Sequence, residues 1–163
     1  MQGKGKPNAH VGTRSILPVI QVDFTFPQFT LKEGKVTILT CADTLTGMGM
    51  AAQLPSKHVT EYAAAEIKAF LMDAGRASEC ILQSDQEPAI MALLRKVSSD
   101  MVNVKLRQSP AYSSESQGVI ERYHQTLQGQ IRTLCVQLKE GPTWMSIQAV
   151  LFCRGSSSIQ HGP

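Results

Sequence analysis

The alternation of apolar and polar residues predicts three consecutive strands in the first third of the chain. Apolar and β-branched residues dominate positions 16–26, and similar patterns follow at 35–42 and 48–54. Short turns separate the three segments, so we expect an antiparallel meander. Asp23 is the only charged residue in the first of these strands, where it interrupts an apolar run.

After the third strand the hydrophobic period changes, which predicts helices that alternate with strands. Apolar residues recur at three- and four-residue spacing over 58–74, so we expect an amphipathic helix that ends at Gly75. A short strand follows at 80–83 and leads into a helix that begins at Pro88 and continues to 97. A fifth strand is predicted at 102–106.

The longest predicted helix covers 119–138, where an apolar stripe runs beside a polar one. The complete order is β-β-β-α-β-α-β-α. This order predicts the α/β class, with a five-stranded mixed sheet flanked by helices. Three antiparallel strands come first, and two parallel strands are then reached through helical crossovers.

The length of 163 residues fits one domain. We expect a flexible N-terminal arm at 1–15, a core at 16–141 and an atypical or truncated tail at 142–163. Hydrophobic residues make up 42% and charged residues 18%, a balance that argues against disorder of the whole chain. No apolar run approaches 18 residues, so no membrane partner is expected.

The formal net charge of +3 permits a nucleic-acid partner without demanding one. The four cysteines and four histidines are scattered, and no pair has the close spacing of a structural zinc site. We therefore expect reduced, mostly buried thiols in an intracellular protein.

Three carboxylates stand out by their predicted positions. Asp23 lies within a strand, Asp85 ends a strand that leads into a helix, and Glu121 lies in the first turn of the long helix. A buried carboxylate is costly unless it is paired or metal-bound, and Mg²⁺ and Mn²⁺ prefer carboxylate oxygens. Plainer roles stay open: a strand-end residue, a helix N-cap and a first-turn acid, respectively. Asp43 is a fourth candidate, for which a role in a turn is favoured.

Three sequence blocks carry a family resemblance: QVDFT at 21–25, LQSDQ at 82–86 and PAYSSESQGVIER at 110–122. Between Asp85 and Glu121 lie 35 residues. Together the blocks and this spacing resemble the catalytic core of retroviral and retrotransposon integrases, within the ribonuclease-H-like superfamily. The resemblance covers about 19–138 and implies a ribonuclease-H-like fold.

The resemblance also implies the activity and its residues. Asp23, Asp85 and Glu121 would bind two Mg²⁺ or Mn²⁺ ions, for 3′-end processing and DNA strand transfer by a polynucleotidyl transferase. The implied partners are element ends, target DNA and further copies of the chain, with no organic cofactor and with nuclear residence in a eukaryotic host. The implied DNA contacts are Tyr112, Ser116, Gln117, Gly118, His124, Gln125, Gln128 and Arg132.

The chain departs from the family pattern in several places. Family members often have Lys at the positions of Gln125 and Gln128, and Asn-Gly where this chain has Gln86 and Glu87. Glu87 is thus an extra carboxylate near the site, or a residue that favours a helix N-terminus. For His124, an exposed place on the helix is favoured over a DNA contact.

The recognisable flanking domains of the family are missing from the sequence, which suggests an isolated core or a fragment of a polyprotein. The alternative function is a non-catalytic relic that folds and binds DNA or a protein partner. A related nuclease or transposase is a third possibility. The helices at 58–74 and 119–138 are the candidate surfaces for self-association.

Overall fold

Five strands and three helices form in the predicted order within the residues that the computed structural model describes, which are 17–26, 36–109 and 117–137. The predicted arm at 1–15 and tail at 142–163 lie outside the described residues. The elements are β1 (Val19–Thr25), β2 (Thr37–Asp43), β3 (Gly49–Leu54), α1 (Glu61–Asp73), β4 (Cys80–Ser84), α2 (Pro88–Asp100), β5 (Val104–Gln108) and α3 (Gly118–Gln137).

The strands form one mixed sheet in the order β3-β2-β1-β4-β5. The β1–β2 and β2–β3 pairs are antiparallel, whereas the β1–β4 and β4–β5 pairs are parallel. Parallel neighbours need a crossover, and α1 and α2 supply the two crossovers here. The prediction of three antiparallel strands followed by two parallel ones is confirmed. As a result, the carboxyl ends of β1 and β4 lie side by side.

The two faces of the sheet are covered unequally. On one face, α1 and α2 bury a large apolar core that includes Ile20, Val22 and Phe24 of β1. On the other face, α3 packs through a small apolar cluster in which Ile120 and Tyr123 contact β2. Because strand side chains alternate between faces, the polar residues between the core residues of β1 point towards α3.

Helix α1 begins and ends with local signals that the sequence contains. Thr60 is its N-cap, and the Thr60 hydroxyl accepts a hydrogen bond from the N–H of Ala63 at 3.1 Å. Gly75 follows the helix with φ +66°, a conformation that glycine adopts readily. The N–H of Arg76 then donates to the carbonyl of Leu71 at 2.7 Å and closes the helix end. The predicted stop at Gly75 is confirmed.

Several boundaries differ from the prediction by up to three residues; for example, α1 begins at Glu61 rather than at 58. Helix α2 continues to Asp100, and β5 begins at Val104 rather than at 102. Val102 is 99% exposed in the connecting turn. Its apolar side chain resembled the start of a strand, but β4 supplies register partners only from Val104 onward.

Arg76 also fixes the turn between β2 and β3. Its guanidinium donates to Oδ2 of Asp43, with Nη2 at 2.8 Å. The fully buried Asp43 side chain also accepts bonds from the N–H of Leu45 at 2.9 Å and the hydroxyl of Thr46 at 3.0 Å. The favoured turn role of Asp43 is confirmed.

Gly49, the first residue of β3, allows α3 to approach the sheet closely. A Cβ atom at this position would lie 2.2 Å from Cε2 of Tyr123, which is closer than real side-chain contacts come. The aromatic ring of Tyr123 therefore occupies the space that a side chain at residue 49 would need.

Cys41 and Cys80 are buried free thiols, as the sequence predicted for its cysteines. No helix in the described segments has the length and apolar character needed to cross a membrane.

Candidate active site

Two neighbouring parallel strands carry the same pattern, Gln-x-Asp, at their carboxyl ends. In the β1–β4 register Gln21 pairs with Gln83, and Asp23 and Asp85 each follow two residues later. Side chains two residues apart in a strand share a face. This is the face covered by α3, because the N–H of Ile120 donates to Oε1 of Gln21 at 2.9 Å. The register therefore brings the two predicted metal ligands together on the α3 side.

Asp23 lies in an environment that penalises its charge. Its side chain is half-buried, and Oδ1 accepts a hydrogen bond from the N–H of Phe24 at 2.7 Å. Burial raises the pKa of Asp23 to about 6, and the carboxylates of Asp85 and Glu87 add to the rise. The hydrogen bond from Phe24 and the ammonium of Lys57 offset only part of it. A cation beside Asp23 would relieve this repulsion.

Asp85 is exposed and organises the start of α2. Its Oδ1 accepts a hydrogen bond from the N–H of Glu87 at 3.0 Å. The N-cap position itself belongs to Glu87, whose carboxylate makes no capping bond. The N-cap role considered for Asp85 is therefore wrong by two residues, because the helix begins only at Pro88. The Asp85 side chain instead closes a turn before the helix.

Glu121 is exposed in the first turn of α3, directly after the residue that is bonded to Gln21. Among residues 17–26, 36–109 and 117–137, no three Asp, Glu, His or Cys side chains are grouped so as to hold a metal ion. Thus Asp23 and Asp85 lie on adjacent strands, whereas in the described residues Glu121 does not join them in a group of three that could hold a metal ion. The carboxylate donors nevertheless fit Mg²⁺ or Mn²⁺ in their chemistry, and the repulsion around Asp23 favours a cation there.

His124 fastens α3 to the two central strands. Its Nε2 lies 2.7 Å from the hydroxyl oxygen of Thr40, and that hydroxyl donates to the backbone carbonyl of Asp23 at 2.8 Å. Since the Thr40 proton is used on the carbonyl, Nε2–H of His124 is the donor to Thr40. Burial lowers the pKa of His124 to about 4, so the ring is neutral near pH 7. The favoured exposed position of His124 is wrong, because its ring turns towards β2.

The other predicted DNA contacts are distributed along α3 and before it. Gln125 and Arg132 are exposed, and Gln128 is half-buried. Gln117 and Gly118 are also half-buried, and Nε2 of Gln117 donates to the hydroxyl of Ser109 at 3.1 Å. Tyr112 and Ser116 lie outside the described residues.

A polar network around Gln83 was not anticipated. Its side-chain oxygen accepts a hydrogen bond from Nε of Arg107 at 3.0 Å, and its Nε2 donates to the Ser109 hydroxyl at 2.9 Å. The N–H of Ser109 donates to the carbonyl of Ser84 at 2.8 Å. The network joins β4, β5 and the approach to α3. The repeated Gln-x-Asp spacing is the sequence signal that could have revealed it.

Lys57 is a further residue that sequence reasoning missed. Its ammonium forms an ion pair with Glu87 and lies 4.8 Å from the ring centroid of Phe26. No periodic pattern marks Lys57, since it lies in the irregular segment between β3 and α1. The structure thus adds a positive charge to the rim of an otherwise acidic site.

No family model and no curated protein matches the sequence. Solved structures do match the fold. A chain of the simian T-cell lymphotropic virus intasome, determined in complex with a PP2A regulatory subunit, is 18% identical with a TM-score of 0.68. The match covers 91% of this chain and 52% of the simian virus chain, so this chain spans about half of that length.

Integrase catalytic core domains match over most of their own length. The HTLV-2 domain, in complex with magnesium and in a trimeric form, is 16% identical with a TM-score of 0.60, over 91% of this chain and 93% of that one. A dimeric form of the HTLV-2 domain also matches. The BIV domain is 19% identical with a TM-score of 0.55, over 89% and 86%. The fold is therefore that of the retroviral integrase cores, as the resemblance predicted.

Proposed function

We propose that this chain is an integrase-type polynucleotidyl transferase core of a retroelement, with the core assigned to 16–141. It would process the 3′ ends of element DNA and transfer them to target DNA. One observation carries the proposal. Asp23 near the carboxyl end of β1 and Asp85 directly after β4 belong to adjacent parallel strands, on the sheet face covered by the helix that carries Glu121 in its first turn, within an integrase-core fold.

The three acids would hold two Mg²⁺ or Mn²⁺ ions, with Asp23 at the centre. Bound metal would supply charge neutralisation and activate the attacking water or 3′-hydroxyl. The chain's own contribution is positioning. The β1–β4 register holds Asp23 and Asp85 side by side, while Gln21 and Thr40 fasten α3 to the strands. The magnesium in the HTLV-2 core domain supports this assignment.

Substrate DNA would lie along the exposed side of α3. Gln125, Gln128 and Arg132 would contact its backbone. Further contacts would come from the first residue of the helix, Gly118, and from the residues before it, Tyr112, Ser116 and Gln117. His124 would contribute indirectly, because its hydrogen bond to Thr40 holds the helix on the sheet. Of the proposed DNA contacts only Arg132 carries a charge, so phosphate neutralisation must come largely from elsewhere.

Further copies of the chain are the expected protein partners, since the HTLV-2 core domain is found in dimeric and trimeric forms. Helices α1 and α3 are the proposed surfaces. The simian virus intasome was determined with a PP2A regulatory subunit, and this supports a second kind of partner, a protein other than the chain itself.

A titration of thermal stability with Mn²⁺ tests the metal site. A metal that binds only the folded state raises the melting temperature by mass action. The wild-type chain should gain stability, and Asp85→Asn should lose most of this gain. Asp73→Asn removes an exposed carboxylate at the end of α1 and should respond like the wild type.

The alternative hypothesis is a non-catalytic relic. It is favoured by one observation: in the described segments, no three acidic side chains are grouped so as to hold a metal ion. A strand-transfer assay with labelled DNA ends and Mn²⁺ separates the two. Product that disappears in Asp85→Asn and on chelation supports the integrase proposal. A chain that binds DNA but shows neither a metal response nor product would establish the relic.

A further inference from the structure

An exposed aromatic ring and a cation lie together at the rim of the acidic site. Phe26 is 43% exposed, whereas Phe24, two residues earlier, is buried in the core. The ammonium of Lys57 lies 4.8 Å from the centroid of the Phe26 ring and 5.6 Å from that of Phe24. A cation at these distances is attracted to the face of an aromatic ring. The pair therefore forms one contiguous feature of the surface.

This pair is attached to both strand ends that carry the acids. Phe26 is the first residue after β1, three positions beyond Asp23. Lys57 forms its ion pair with Glu87, two positions beyond Asp85. The ammonium is close enough to Asp23 to influence its electrostatics. Phe26 and Lys57 thus lie at the carboxyl-end edge of β1 and β4, the edge of the sheet that also carries Asp23 and Asp85.

A polyanion that approaches this site meets repulsion from Asp23, Asp85 and Glu87. Lys57 is the cation that offsets part of this charge, and its partner Glu87 has no capping bond that would hold its carboxylate at the helix end. An exposed ring next to a cation is the combination that binds single-stranded nucleic acid, because bases stack on the ring while the cation neutralises a phosphate. A base inside a duplex cannot offer its face in this way.

We propose that Phe26 and Lys57, together called the ledge, bind an unpaired nucleotide at the end of the DNA substrate. The base stacks on Phe26, and Lys57 exchanges Glu87 for the phosphate. The inference rests on the proposed function and deepens it, since it assigns Phe26 and Lys57 as residues that position the DNA end at the edge of the sheet that carries Asp23 and Asp85.

Fluorescence anisotropy with the full chain tests the ledge without catalysis. The probes are a labelled duplex with a short single-stranded overhang and its blunt counterpart, in EDTA, between about 50 and 200 mM salt. Lys57→Met should weaken overhang binding about fivefold at about 0.1 M salt and reduce the slope of log K against log salt by about 0.7. Phe26→Ala should weaken overhang binding about tenfold and leave blunt binding nearly unchanged.

Two further variants distinguish a binding role from a structural one. Glu87→Gln and Lys57→Met both remove the same ion pair, so a structural role predicts that they change DNA binding in the same direction. The ledge predicts opposite directions, with stronger binding in Glu87→Gln. Lys68→Met is the matched control, because Lys68 pairs with Asp100 at 2.8 Å with similar exposure. It should bind both probes like the wild type.

Each result supports or overturns the ledge. Wild-type chain that binds both probes, with all variants unchanged, overturns the ledge and leaves the proposed function standing. Wild-type chain that binds neither probe overturns both. Melting curves show whether each variant is folded. Lys57→Arg keeps the charge and should retain the affinity, and Phe26→Ala tests the ledge independently of the ion pair.

Discussion

Two buried or half-buried aspartates on neighbouring strands have opposite surroundings. Asp43, at the end of β2, is fully buried and receives hydrogen bonds from Arg76, Leu45 and Thr46. Burial alone would raise its pKa, yet these hydrogen bonds and the arginine charge lower it below the usual range. Asp23, on β1, has a single backbone hydrogen bond, so burial raises its pKa to about 6, and the carboxylates of Asp85 and Glu87 add to the rise.

The contrast separates a structural acid from a functional candidate. The fold supplies Asp43 with a complete set of donors, so its charge holds a turn in place. The fold leaves Asp23 near two carboxylates that the ammonium of Lys57 offsets only in part, so its charge lowers stability unless a further cation arrives from outside. Burial by itself does not distinguish the two residues; the partners do.

The largest expected effect comes from removing the arginine that neutralises Asp43. Arg76→Met leaves a buried carboxylate without its countercharge, so the free energy of unfolding should fall by about 3 kcal/mol. Urea denaturation at pH 7 measures this. The exposed pair provides the control, since Lys68→Met should cost less than about 1 kcal/mol. Equal losses in the two variants would mean that burial of the Asp43 pair has no energetic consequence.

Removing the charge of Asp23 should change the free energy of unfolding in the opposite direction. The folded-state pKa of about 6 lies above the unfolded value near 3.8, so the folded state binds the proton more tightly and stability falls as pH rises between these values. Asp23→Asn in EDTA should therefore gain about 2 kcal/mol at pH 7 and nothing below about pH 4. Denaturation across this range measures the gain. A loss of stability at pH 7 would show that the charge of Asp23 is already compensated.

The smallest of the three effects concerns His124 of α3, whose ring is bonded to Thr40 of β2. Its pKa falls from 6.5 to about 4 on folding, so the unfolded state binds the proton more tightly and stability falls as pH drops through this window. His124→Gln keeps a donor for Thr40 and should remove about 1 kcal/mol of this pH dependence, after allowance for solvent screening. Denaturation at pH 4.5 and pH 7, compared with the wild type, measures the difference. If stability depends on pH in the variant as it does in the wild type, the His124 ring is exposed to solvent and the prediction is wrong.

Much of the fold follows from local patterns. The period of apolar residues predicts each helix and strand, Gly75 marks the end of α1, and the order of elements predicts the mixed sheet. Asp23, Asp85 and Glu121 were singled out by position and by family resemblance. The boundaries of α2 and β5 were displaced because pairing with β4, rather than the apolar character of Val102, decides where β5 begins.

Partners that are distant in sequence were not predictable in the same way. Thr40 meets His124 across 84 positions, and Lys57 meets Glu87 across 30. No periodic pattern contains such information, because it depends on which strands become neighbours and in what register. For this reason His124 was expected on the exposed side, and the positive charge at the rim was not expected at all.

Gly49 has a consequence for how such a site can change over time. The two strand acids belong to one rigid sheet, whereas the third acid arrives on a helix whose distance from the sheet is limited by the ring of Tyr123 resting over Gly49. A single methyl group at residue 49 would act as a wedge, displacing the ring or lifting the helix, with every acid still present. The distance between the two strand acids and the helix acid thus depends on Gly49, a residue that has no side chain. A comparison of related sequences at the three acids alone would overlook a substitution of this glycine.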